Sequence, residues 1–330
     1  MRFTEVRIFL FCLISSLYSL GTAQSNTSFP ILNFNTTARN SALGGINVGI
    51  FDHDPSTSIQ LPSNLTPLQD GLLQMNYINY FADSDIAILN YTFDQKKVGV
   101  LSTSLVYCNY GYFEYADPSG QFLDQTFSVN DIMFQLGHGR KLSDKLQIGI
   151  NMKLAGSIYE RYRSFALATD LSLTYFDETK NFGSYFLVKN LGRQIMKFYP
   201  SQLNYKLPFS LELGVNKKLE YAPIRFHATY RNIDRWNLVM MPENNFYSFR
   251  RTLFSHFIFG SELMFSENFH FRFGYNFLNR MELQPSARPG TSGLSWGVQL
   301  KIKKMMINFT NAKFHMSGTS NHFSIIRKIN

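Results

Sequence analysis

The feature that most constrains this chain is a period of two. From about residue 73 to the end, large apolar side chains alternate with small or polar ones, the pattern of strands with two unlike faces. In 145–155, Leu146, Ile148, Ile150, Met152 and Leu154 share one face; Lys145, Gln147, Gly149, Asn151 and Lys153 share the other. In 165–175, Phe165, Leu167, Leu171, Leu173 and Tyr175 oppose Ala166, Ala168, Asp170, Ser172 and Thr174. The runs 269–277 and 294–302 repeat the pattern, with Phe271, Phe273, Trp296 and Leu300 on the large face. A soluble β-sandwich also alternates, but its outer face meets water and carries many charges. Here the second face holds mostly Gly, Ala, Ser, Thr, Asn and Gln, which suits a crowded lumen, and the large face suits lipid. Only 17% of residues are charged and 16% are aromatic, with 32 Phe and 18 Tyr. The fold class expected is all-β, a transmembrane antiparallel β-barrel.

Fourteen strand segments are predicted: 73–80, 86–93, 97–107, 127–137, 145–159, 165–175, 181–190, 209–218, 223–231, 254–265, 269–277, 292–302, 305–314 and 321–329. An even count suits a closed single-chain barrel, and closure leaves no strand edge unpaired in hydrocarbon. The connections support this independently. Those after strands 2, 4, 6, 8, 10 and 12 are tight, whereas 108–126, 191–208, 232–253 and 278–291 are long. Short periplasmic turns and long outer loops are the expected arrangement, with both termini periplasmic.

Residues 1–23 read as a secretory signal peptide. Arg2 and Arg7 precede an apolar run from Ile8 to Leu20, and Gly21 and Ala23 supply a small-residue cleavage site. Residues 24–72 lack paired alternation. They read either as an N-terminal hatch inside the barrel of 73–330 or as a loose periplasmic arm. Within this segment Gly44-Gly45 marks a tight turn permitted by positive φ. Arg39 either pairs with Asp52 or Asp54 to pin the hatch or is solvated.

Chemistry is sparse. Of two cysteines only Cys108 lies beyond residue 23, so no internal disulfide is expected. No CxxC, HExxH or His-rich run is present, and neither a metal nor a cofactor is expected. Gly293-Leu294-Ser295-Trp296-Gly297 fits G-x-S-x-G, but alternation runs through it, so Ser295 reads as a lumen-facing strand residue rather than a nucleophile at a strand-to-helix turn. A membrane hydrolase would need a Ser–His pair at the lipid face, and no spacing indicates one. The net charge of +9 is dispersed, and export removes nucleic acid as a partner.

Charged residues on the small face belong in the lumen, since a charge facing lipid at mid-depth costs ~2–4 kcal/mol. Asp131, Asp170, Glu212, Arg225, Glu262 and Arg272 are expected there as a network that fills the lumen or selects what passes. Two long loops carry apolar residues: Tyr110, Tyr112 and Phe113 in one, Trp236, Met240, Met241 and Phe246 in the other. Aromatics and Met favour partner contacts; the competing reading is a lid or an interfacial belt.

A resemblance sharpens these expectations. Ala38-Arg39-Asn40-Ser41-Ala42-Leu43-Gly44-Gly45 followed by Asp52-His53-Asp54-Pro55 resembles the opening motif of the PorV/PorQ family. The PorQ branch is favoured by Tyr77-Ile78-Asn79-Tyr80-Phe81-Ala82-Asp83, by Tyr110-Gly111-Tyr112-Phe113 with Asp117 and Gly120, by Tyr159-Glu160-Arg161-Tyr162-Arg163-Ser164, by Val188-Lys189-Asn190-Leu191-Gly192-Arg193-Gln194 and by Leu207-Pro208-Phe209. Leu61-Pro62-Ser63 departs from the usual Asn-Pro-Ala, and the chain ends without a terminal aromatic. The resemblance implies a fourteen-stranded barrel similar to the long-chain fatty-acid transporter fold. It also implies a non-enzymatic role in the outer membrane, anchoring a PorZ-like surface component of the type IX secretion system, beside outer-membrane lipid and lipopolysaccharide. The alternative is a transporter of hydrophobic small molecules such as fatty acids.

Overall fold

The structure is a computed structural model; it describes residues 28–34, 37–46, 48–80, 83–117, 119–199, 205–238, 248–282, 291–313 and 318–329. The signal peptide and Met240, Met241 and Phe246 lie outside the described residues.

Fourteen antiparallel strands close on themselves in sequence order. They are β1 (Leu72–Asn79), β2 (Asp85–Gln95), β3 (Gly99–Ala116), β4 (Phe122–Ser143), β5 (Leu146–Tyr159), β6 (Tyr162–Asp177), β7 (Phe182–Met196), β8 (Ser210–Lys218), β9 (Ile224–Tyr230), β10 (Phe257–Met264), β11 (Phe269–Asn276), β12 (Leu294–Ile302), β13 (Met305–Ala312) and β14 (Ser320–Lys328). The seam runs from Leu72↔Lys328 to Asn79↔Asn321, so the first strand needs no exposed edge.

The two faces fall as their chemistry requires. Ile148, Met152, Leu154, Leu167, Leu171, Leu173, Phe273, Trp296 and Leu300 are exposed on the outside, whereas Gln147, Asn151, Ala168, Asp170, Thr174 and Gln299 are buried inside. An outer wall this apolar is stable only against acyl chains, since water would meet a far larger apolar patch than soluble proteins tolerate.

Several boundaries differ from expectation. The segment 108–126 is not a long loop: β3 and β4 pair on up to Ala116↔Phe122. Neighbouring β2 and β5 end at Asp85 and Tyr159, opposite Asn109 and Val129, so this hairpin rises above the rim. Its turn is closed by the Asp117 carboxylate, which accepts from Ser119 Oγ (2.6 Å), Ser119 N (2.8 Å) and Gln121 N (2.9 Å). These bonds, the Ser119 hydroxyl first, hold its carboxyl below the usual range. Strand β7 continues to Met196 rather than ending at 190. It does so through a bulge between the pairs Thr169↔Leu191 and Leu171↔Val188, with Asn190 at φ 57°. Strand β10 starts only at Phe257, because Phe249–Ser255 forms a short helix, α2; Ala38–Ala42 is α1, and Phe277–Glu282 is α3.

The described part of 28–71 lies inside the barrel, so the loose-arm reading is set aside. Single 3₁₀ turns start at Pro30, Pro55, Pro62 and Pro67, where the ring presets φ and a missing N–H costs nothing. Thr37 caps α1 by accepting from Asn40 N at 3.3 Å. Gly44 and Gly45 hold φ 80° and 94°, as the tight-turn reading requires. The first described residues sit at the long-loop end: Ser28 N donates to Lys206 O in the β7–β8 connection at 3.2 Å. The C-terminal strand does end beside the tight turns.

Candidate functional site

The small polar face of the wall now has a reason. Folded without regular pairing, the hatch leaves carbonyls without strand partners, and buried carbonyls must be satisfied. Lumen amides and hydroxyls donate to them. Thr310 Oγ1 donates to Ala38 O (2.7 Å), Ser295 Oγ to Ala42 O (2.9 Å), Asn276 Nδ2 to Gly44 O (3.1 Å) and Asn216 Nδ2 to Gly49 O (2.8 Å). Gln135 Nε2 and Asn151 Nδ2 both reach Ile59 O, at 2.7 and 3.0 Å, and Gln147 Nε2 bonds Leu65 O. Where backbone meets backbone the wall carries glycine: a Cβ on Gly149 would strike Pro62 and Ser63, and one on Gly274 would strike Leu43 and Gly44. Ser295 of the G-x-S-x-G run is thus spent on the hatch. His322 lies between Ser41 Oγ (3.2 Å) and Ser320 Oγ (3.0 Å), buried in the lumen and not at the lipid face a membrane hydrolase would use.

Arg39 pins the hatch. Its guanidinium meets Asp52 at 2.8 Å, Asp54 at 3.2 Å and, on the wall, Glu262 at 3.0 Å. Glu262 also receives Arg225 at 3.0 Å, His227 at 3.2 Å and Arg272 at 2.8 Å. The paired reading of Arg39 therefore holds, and the predicted lumen charges do pair, but as separate groups. Asp170 meets Lys153 at 2.6 Å and accepts from Asn190 N at 2.8 Å, holding the β7 bulge. Glu212 meets Arg231 at 3.2 Å. Asp131 accepts from Tyr110 Oη at 2.8 Å. Sequence reasoning placed Lys153 on the inner face but left it out of the network, and it omitted Lys189 and His227; each sits at an inward position of its strand, which was the available signal.

The proposed partner-binding residues scatter. Tyr110 is half-buried against the lumen core, so it does not belong on an outer docking face. Tyr112 and Phe113 are 77% and 45% exposed on the projecting hairpin. Trp236 stacks on Phe249 and His256, with centroids 5.3 and 5.6 Å apart, and its carbonyl lies 3.0 Å from His256 Nε2. Its contacts are thus within the β9–β10 connection, and it remains 42% exposed.

One sector of the lumen is apolar. Toward the long-loop end, the inward positions of β1 to β6 carry Ile78, Ile86, Ile88, Val106, Cys108, Met133, Ala155, Ala166 and Ala168. Lower on the same strands they carry Gln74, Asn76, Asn90, Thr92, Ser102 and Gln135. Phe29, Ile31 and Leu32 of the hatch fill the sector, joined by Leu207. Tyr110 and Asp131 form a polar edge to it.

No protein-family model matches the chain, and no curated protein matches it. Solved structures do. The Pseudomonas putida toluene transporter TodX aligns with a TM-score of 0.52 at 13% identity, covering 88% of this chain and 96% of that one. The CymD monoaromatic hydrocarbon channel gives 0.50 at 12%, covering 91% and 97%. A Pseudomonas aeruginosa FadL homologue gives 0.50 at 7%, covering 89% and 98%. These likenesses correct the role drawn from the resemblance: a type IX secretion anchor is set aside, because the barrels sharing this architecture over nearly its whole length are a toluene transporter, a hydrocarbon channel and a FadL homologue. The apolar girdle and the shared fold make the chain an outer-membrane β-barrel.

Proposed function

We propose that this barrel passes small hydrophobic molecules across the outer membrane, without catalysis, through the apolar lumen sector beneath the long loops. One observation carries the reading. A barrel that served only as a scaffold has no need of a lumen sector where Ile78, Ile86, Ile88, Val106 and Met133 gather, while the other apolar residues of the inner wall, such as Leu187 and Ile258, fall in smaller clusters. Binding sites for apolar ligands are concave and mostly apolar, with few polar groups to orient the guest; here Tyr110 and Asp131 supply them. Residues 29–34 hold the place of the guest and leave it when the hatch shifts. The tight turns and the C-terminal end face the periplasm in this reading, and the long loops face outward.

The test is uptake of labelled toluene and of a labelled fatty acid by cells with and without the protein. The triple substitution Phe29→Ser, Ile31→Ser and Leu32→Ser removes about 5–9 kcal/mol of burial from the plug and raises uptake. Met133→Trp, which narrows the sector, lowers it. Uptake that is the same with and without the protein for both compounds refutes the proposal.

A further inference from the structure

A groove of about 450 Å³ opens on the wall between β6 and β7, lined by Leu167, Thr169, Leu191, Gly192, Arg193 and Ile195. It exists because β7 is irregular there. The bulge at Asn190 and a second register shift between Phe165 and Ala166 break the even spacing of outward side chains. Strand β8 begins at Ser210, opposite Lys189, so the next seven residues of β7 have no strand on that side. Leu167, Leu191 and Ile195 stand 43%, 52% and 60% exposed around the opening.

Arg193 pairs with Leu167 in register, so it points outward with Leu167 and away from the lumen. No acidic residue meets it among the described residues. Its place is the upper part of the apolar belt, since Leu167 lies only five positions from the end of β6 at Tyr162. A lipid-facing arginine is costly at the midplane and nearly free at the interface, and its long side chain reaches the headgroup layer while its stem stays in hydrocarbon. Above it on the same wall, Arg161 and Arg163 are exposed, and Glu160 lies 3.8 Å from Arg161. The sector is therefore an apolar slot headed by net positive charge.

We propose that this groove seats one phosphate-bearing membrane lipid, with an acyl chain against Leu167, Leu191 and Ile195 and the phosphate on Arg193. The place sets the occupant. Acyl chains already bathe this wall, so the slot is filled by hydrocarbon; the unpaired guanidinium donates to the phosphate and favours a head without a cation of its own. The assignment is independent of what the lumen carries.

The experiment refolds the full barrel into vesicles of equal phosphatidylglycerol and phosphatidylcholine, extracts it in mild detergent, and counts retained lipid by native mass spectrometry. The wild type is expected to retain phosphatidylglycerol over phosphatidylcholine by about tenfold, because both offer the phosphate but the choline cation of the second meets like charge at Arg193. Arg193→Gln removes the preference, and Arg193→Lys keeps most of it. Leu191→Trp, which fills the slot from outside and leaves the lumen untouched, lowers retention of both lipids. Heat-modifiable migration verifies that each variant is a folded barrel. No preference in the wild type, or an unchanged preference in Arg193→Gln, overturns the assignment.

Discussion

Replacing Glu262 by Gln tests the central lumen cluster most directly. The carboxylate is 0% exposed and accepts from Arg39 Nε, Arg225, His227 and Arg272 Nε. Glutamine preserves the volume and one acceptor oxygen, so the substitution isolates the charge. Afterwards Asp52 and Asp54 still hold Arg39, but Arg272, 1% exposed, meets neutral oxygens alone, those of Asn308, Gln299 and the new amide. Removing one partner of a buried ion pair costs 3–5 kcal/mol, because the remaining charge stays buried. Arg225, at 13% side-chain exposure, is partly relieved by water, so about 3 kcal/mol is expected. Reversible urea unfolding in micelles measures it, with Asp144→Asn, at an exposed turn pair, as a variant that leaves stability unchanged. Loss of the latch also loosens the hatch, so a maleimide reaches buried Cys108 faster in Glu262→Gln and in Arg39→Met than in the wild type. If Glu262→Gln unfolds within about 1 kcal/mol of the wild type, the cluster does not hold hatch to wall.

Two further outcomes follow from the faces and the smaller ion pairs. Leu171→Arg, in the middle of the outward face of β6, is expected to cost about 2–4 kcal/mol in bilayer refolding; no loss would mean that the face does not meet lipid. Asp170→Asn leaves Lys153, 3% exposed, without its carboxylate and weakens the bond that holds Asn190, so a loss of about 3–5 kcal/mol in urea unfolding is expected, and an unchanged midpoint would refute the pairing.

Strand number and facing were legible because lipid and lumen make opposite demands on alternate residues. Leu146 to Leu154 and Phe165 to Tyr175 carry that record without reference to anything distant. The projecting β3–β4 hairpin was hidden for the same reason. Above the rim neither face meets lipid or lumen, so Tyr112 and Phe113, adjacent in sequence and on opposite faces, are both aromatic and the period disappears. The β7 bulge was hidden because one residue in the left-handed region shifts the alternation without erasing it. Corrections to function came from the same limit: short motifs spread along the chain suggested a secretion component, while the wall architecture is shared with hydrocarbon transporters.

Alternation, turn lengths and the exclusion of charge from one face were local properties, and they determined a closed fourteen-stranded cylinder before any contact was known. Which groups meet inside it was decided only by closure. Arg39 and Glu262 stand 223 positions apart, and Phe29, Cys108 and Leu207 share one buried cluster. A period of two says which way a side chain points; only the curvature and register of the finished wall say what it finds there.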